Sequence, residues 1–96
     1  LAGREVPSWP DTEHSFTELR ARIQKALDLL ATVTPEDLAG GEGREVTLKL
    51  GGKDVTMPGL TYLTERALPN FFFHVTTAYA ILRHGGVVIG KRDYIG

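Results

Sequence analysis

"LPNFFFHVTTAYAILRH", residues 68–84, decides how the rest of this chain is read. Turned at about 100° per residue, it places Asn70, His74, Thr77, Ile81 and His84 on one narrow stripe of a helix. Phe71, Phe72, Val75, Ala78, Tyr79 and Leu82 cover much of the remaining circumference. Such a helix wants neighbours on several sides. It is also too short and too interrupted by His74, Thr76 and Thr77 to cross a bilayer, which needs about 20 apolar residues. The first question is therefore what covers it.

On its C-terminal side, His84, Gly85 and Gly86 form a stop signal, with a basic residue near the carbonyl end. The tail 85–96 follows, and three consecutive aliphatics and Tyr94 predict that it packs in an extended form. On the N-terminal side, Pro69 is best tolerated in a first helical turn, so a helix spanning 60–84 is expected to break or restart there.

Further upstream, REVTLKLGGKDVTM alternates apolar and polar residues on either side of Gly51 and Gly52, predicting a hairpin over 45–57. Folding about the two glycines pairs Leu48 with Val55 and Val46 with Met57 on one face, and Lys49 with Asp54 and Thr47 with Thr56 on the other. One buried face pins that register. A lone hairpin is marginal, so it is expected to lie on helices.

Ser15 followed by Glu18 fits a capping box. From it, Phe16, Leu19, Ile23, Leu27 and Leu30 recur at three- and four-residue steps, predicting an amphipathic helix over 15–33. Thr34 to Asp37 is a second start signal that Gly40, Gly41 and Gly43 soon end. Residues 1–14, with Pro7, Pro10 and Asp11, read as an extended lead anchored by Trp9.

Composition narrows the function classes. Eleven Lys and Arg stand against 12 Asp and Glu, so there is no basic field to gather phosphates, and nucleic acid is not an expected partner. The absence of cysteine removes thiolate ligands, disulfides and a Cys nucleophile together. LAGREVPSWPD has neither the basic segment nor the apolar core of a secretory signal and reads as an interior cut, with the cytoplasm as the default compartment and no membrane partner. A chain of 96 residues buries a modest fraction of its surface by itself. One amphipathic helix and one hairpin cannot cover the helix at 68–84, so the chain is expected either to lack helices of a larger protein or to borrow them in a homo-oligomer, a dimer.

ALPNFFFHVTTAYAILRHGGVVIGKRDYIG, together with the hairpin and the SFTELRARIQKALDLL helix, resembles the C-terminal part of the DUF1993 family, a domain of unknown function. That family is similar to the DinB/YfiT-like four-helix bundles, a bacterial-type group, and its members carry two further N-terminal helices. The resemblance implies a mainly α fold: the C-terminal half of a DinB-like four-helix bundle with an inserted two-stranded β-hairpin, in one domain over 1–96.

It also implies a question about metal. DinB-like bundles commonly hold a divalent metal through three histidines, two of them four residues apart on the last helix, and some members act on low-molecular-weight thiols. The corresponding pair here is Asn70 and His74, which leaves the triad incomplete. His74 is the candidate metal ligand, for Zn or Ni in the full-length protein, against the plainer reading of a buried, hydrogen-bonded core histidine. Asn70, His74 and Thr77 are the candidate small-molecule binding residues; catalytic residues are unknown. His84 reads as an exposed cap and His14 as a surface residue. Tyr62, Tyr79 and Tyr94 read as core tyrosines with satisfied hydroxyls. Arg83, Lys91, Arg92 and Asp93 form a mixed-sign cluster expected to salt-bridge the tail to the bundle, with anion binding as the other use. Three functional readings follow: an uncharacterised bundle protein with a small-molecule pocket in its core, a metal-dependent thiol transferase or isomerase, and an interaction protein docking through its aromatic helix.

Overall fold

The computed structural model describes residues 1–96. The fold is mainly α, with one hairpin: α1 (Phe16–Ala31), α2 (Pro35–Leu38), β1 (Glu45–Leu50), β2 (Lys53–Pro58), α3 (Gly59–Tyr62), a π-helical turn (Leu63–Ala67), α4 (Leu68–His84) and α5 (Lys91–Ile95). It divides into two compact units, Leu1–Gly59 and Leu60–Gly96.

In the first unit, α1 starts where the capping signal places it. Ser15 Oγ accepts the Glu18 amide at 3.2 Å, while the Glu18 carboxylate accepts the Ser15 hydroxyl at 2.9 Å and the His14 amide at 2.8 Å. The carboxylate thus reaches one residue further upstream than the usual box. The helix ends at Ala31, short of the expected residue 33, because Thr32 and Val33 donate to Leu29 and Leu30 in a tighter turn and the Thr32 hydroxyl also takes the Leu29 carbonyl. Thr34 and Asp37 cap α2 reciprocally.

The lead 1–14 has no regular structure and runs along the polar flank of α1. Arg22 holds it, donating to the Pro10 carbonyl at 2.7 Å and to the Glu13 carboxylate at 2.9 and 3.0 Å, with Asp11 at 2.9 Å. Trp9 is half-buried beneath the Lys25 ammonium, 4.4 Å from its ring centroid. The opposite face of α1 is left bare: Phe16 is 85% and Leu30 65% exposed.

The hairpin has the register its alternation predicts, from Glu45 opposite Pro58 to Leu50 opposite Lys53. Gly51 and Gly52, at φ of 56° and 81°, supply the two left-handed residues of its turn. Thr47 and Thr56 share a hydrogen bond at 2.7 Å on the wet face. On the other face Val46, Leu48, Leu50, Val55 and Met57 are half-buried. Contrary to expectation, neither α1 nor α2 lies across that face. What anchors the hairpin's end is backbone packing: Gly59 and Gly41 are the buried residues of the chain, and a Cβ on Gly59 would overlap the Gly41 carbonyl.

In the second unit, α4 restarts at Leu68 with Pro69 in its first turn, as the sequence leads one to expect, and a π-helical turn joins it to α3. That turn widens, so that the Leu68 amide reaches the Leu63 carbonyl five residues back. A wide turn relieves both difficulties proline brings, the missing donor and the ring's clash with the carbonyl four residues earlier. α4 ends in a Schellman motif: Gly86, at φ 88°, donates to Arg83, and Val87 donates to Leu82. The tail is not wholly extended, because Asp93 caps the Gly90 amide at 2.7 Å and starts α5.

Neither unit has a hydrophobic core; no apolar side chain is buried. No helix is long and apolar enough to cross a membrane.

Two outcomes test this account. Gly59→Ala should lower unfolding free energy by about 2 kcal/mol, the range for forcing atoms into an occupied space, as read by denaturant titration; an unchanged midpoint would refute the Gly41 contact. The second concerns pH. The pKa of Glu18 is held low chiefly by the His14 amide, that of Asp37 by the Thr34 amide, and that of Glu13 by the Arg22 guanidinium. Depressed carboxylates contribute stability that is fully present above their ordinary range, near pH ~4, and lost as pH falls through the lowered values. Helical circular dichroism should therefore decline on acidification below that range, with a shallower decline in Glu18→Gln.

Candidate functional site

The regular turns of α4 place Asn70, His74 and Thr77 along one side of the helix, as their spacing requires. None of the three side chains hydrogen-bonds within the chain, and all three are exposed. His74 is therefore not the buried, hydrogen-bonded residue of the plainer expectation, since no helix of its unit covers this side of α4. Its nearest aromatic partner is Phe73, edge-on with ring centroids 5.3 Å apart. The stripe is a row of donors and acceptors set among bare rings: Phe71 is 57%, Phe72 51% and Phe73 64% exposed. A polar row framed by apolar side chains can orient a small molecule once the site is closed from water.

The donor set is poor for a divalent metal. His74 supplies one imidazole and Asn70 one weak amide oxygen, and no group of three or more His, Cys, Asp or Glu side chains converges anywhere in the chain. His14 and His84 do not join His74; His14 donates its amide to Glu18 ahead of α1, and His84 lies exposed in the last turn of α4. These residues by themselves do not fit the three-nitrogen ligation expected for zinc or nickel.

The other side of α4 carries a cluster whose tyrosines and Arg83 the sequence singles out separately, while their convergence with Thr76 is missed. Tyr94 of α5 packs edge-on against Tyr79, with centroids 5.5 Å apart, and its hydroxyl shares a hydrogen bond with Thr76 at 2.9 Å. Arg83 donates to the Tyr79 hydroxyl at 3.2 Å. The expected salt bridges of Arg83, Lys91, Arg92 and Asp93 do not form; Asp93 accepts the Gly90 amide instead. Thr76, Tyr79 and Arg83 recur at three- and four-residue steps. That spacing was the available signal, but nothing in it points to Tyr94.

The domain-of-unknown-function model DUF1993 matches residues 1–95. The chain belongs to the DUF1993 family. Among solved structures it is similar to a DinB family member protein from Shewanella denitrificans, determined at 1.83 Å resolution, with 39% sequence identity and a TM-score of 0.79. The match covers 94% of this chain and 50% of that one, so this DUF1993 chain spans about half the length of its solved relative. No curated protein matches it. The relation to DinB proteins expected from the aromatic helix, hairpin and tail is thereby established.

Asn70→His would restore two imidazoles four residues apart on an exposed face of α4. Adding Zn2+ or Ni2+ is expected to raise the thermal midpoint of that variant and to raise that of the parent chain less. Equal responses would mean that the two positions do not share a face.

Proposed function

We propose that this chain is half of a DinB-like four-helix bundle, with α1 and α4 as two of the four helices, and that a second copy supplies the others in a homodimer. The completed bundle would hold a small molecule in its core against Asn70, His74 and Thr77. One observation carries this reading: both long helices leave their apolar residues exposed, and no hydrophobic side chain in the chain is buried. The half-length match to the DinB relative supports it. A four-helix bundle is the packing in which amphipathic helices of this length cover one another and build ligand sites from facing side chains. Within such a core the stripe's polar groups need partners, since an unpaired buried donor or acceptor costs about 1–3 kcal/mol. A bound ligand can supply them.

Light scattering after size exclusion is the first test, with an expected mass of twice the 10.5 kDa chain. Replacing Phe71 and Phe72 together by Ser should shift the protein to monomer and reduce its helicity. A monomer that unfolds cooperatively at every concentration would overturn the assembly. For the pocket, a thermal-shift panel of small carboxylic acids, thiols and amides should contain compounds that stabilise the parent dimer but not the Asn70→Ala, His74→Ala double variant. Equal responses from the two proteins would count against the stripe as a binding surface.

A further inference from the structure

The cleft between α4 and α5 lies on a different side of α4 from the polar stripe. It is about 530 Å³ in volume and is lined by Thr76, Tyr79, Arg83, Lys91, Tyr94 and Ile95. That size lies within the range of small-molecule sites. We propose that it binds a small organic carboxylate with an apolar body, the carboxylate between Arg83 and Lys91 and the body on the two tyrosine rings.

Three observations carry the assignment. First, the floor is held from both ends: Tyr94 rests edge-on against Tyr79 and is tied to Thr76 at 2.9 Å, while Arg83 reaches the Tyr79 hydroxyl at 3.2 Å and sits 5.8 Å from its ring centroid. Second, the cleft has cations and no anions. No carboxylate lines it, and neither Arg83 nor Lys91 takes part in any of the chain's ion pairs. Asp93, the nearest acid in sequence, is turned to the Gly90 amide. Third, between those cations the surface is aromatic and aliphatic, with Ile95 65% exposed at its edge. An inorganic anion would satisfy the charge and leave the rings bare, and a neutral apolar molecule would do the reverse. A carboxylate with a phenyl or alkyl body meets both, and a guanidinium is the donor best suited to grip its two oxygens.

The cleft is tested with the full 96-residue chain and two probes sharing one body, 4-phenylbutyrate and 4-phenylbutan-1-ol, followed by NMR of the tyrosine rings and by calorimetry. The acid should shift the Tyr79 and Tyr94 signals saturably and bind about ten-fold more tightly than the alcohol, the equivalent of one charge-assisted contact. Replacing Arg83 and Lys91 together by Gln should bring the acid down to the alcohol's affinity and leave the alcohol unchanged. Arg83→Lys, which keeps the charge, should retain most of the preference, and an unaltered circular dichroism spectrum shows that the double variant still folds. Equal binding of acid and alcohol, undiminished acid binding in the double variant, or tyrosine signals that neither probe moves, as when a second copy fills the cleft, would each overturn the proposal.

Discussion

The constraint on which everything else here depends is uncovered apolar surface. Burying a large aliphatic or aromatic side chain contributes about 1.5–3 kcal/mol, and this chain takes little of that for itself: Phe71, Phe72, Phe73, Ile81 and Leu82 on α4, and Phe16, Ile23 and Leu30 on α1, all remain in contact with water. Ordering a backbone costs about 1–2 kcal/mol per residue. Burial within this chain therefore offsets little of that ordering cost.

Local chemistry, by contrast, is nearly complete. Apart from α3 and the π-helical turn, the elements begin or end on named devices: the Ser15 and Glu18 exchange, the reciprocal Thr34 and Asp37 cap, the two left-handed glycines of the hairpin, the Schellman ending at Gly86 and the Asp93 cap. The lead is fastened by Arg22 to the polar side of α1. That choice of side matters, because it leaves the Phe16 to Leu30 stripe free. Termini and turns are thus satisfied while the apolar faces of both long helices stand open.

α4 presents two chemically different sides. One carries a row of unpartnered polar groups among phenylalanine rings; the other is partly roofed by α5 and ringed by cations. The metal site that the resemblance implies finds a poor donor set on the first side, where the Asn70 amide stands four residues from His74 and no other ligand converges on them. On the second side no ion pair offsets the charge of Arg83 or Lys91. Asp93 caps its own helix through the Gly90 amide and forms no ion pair with either.

The sequence by itself determined the hairpin register, the capped helix starts, the glycine stop after His84 and the placing of Asn70, His74 and Thr77 on one stripe. All of these follow from side-chain period or from contacts within a few residues. Its reading of Pro69 as a first-turn residue of a restarted helix matches α4, which begins at Leu68, but the π-helical turn that joins it to α3 is a backbone adjustment that leaves no trace in composition. Only tertiary structure decided that Tyr94 returns to Thr76 and Tyr79, that Arg22 fastens the lead, and that Gly59 meets Gly41. Each of those joins residues nine or more positions apart, where spacing carries no information and geometry alone chooses the partner.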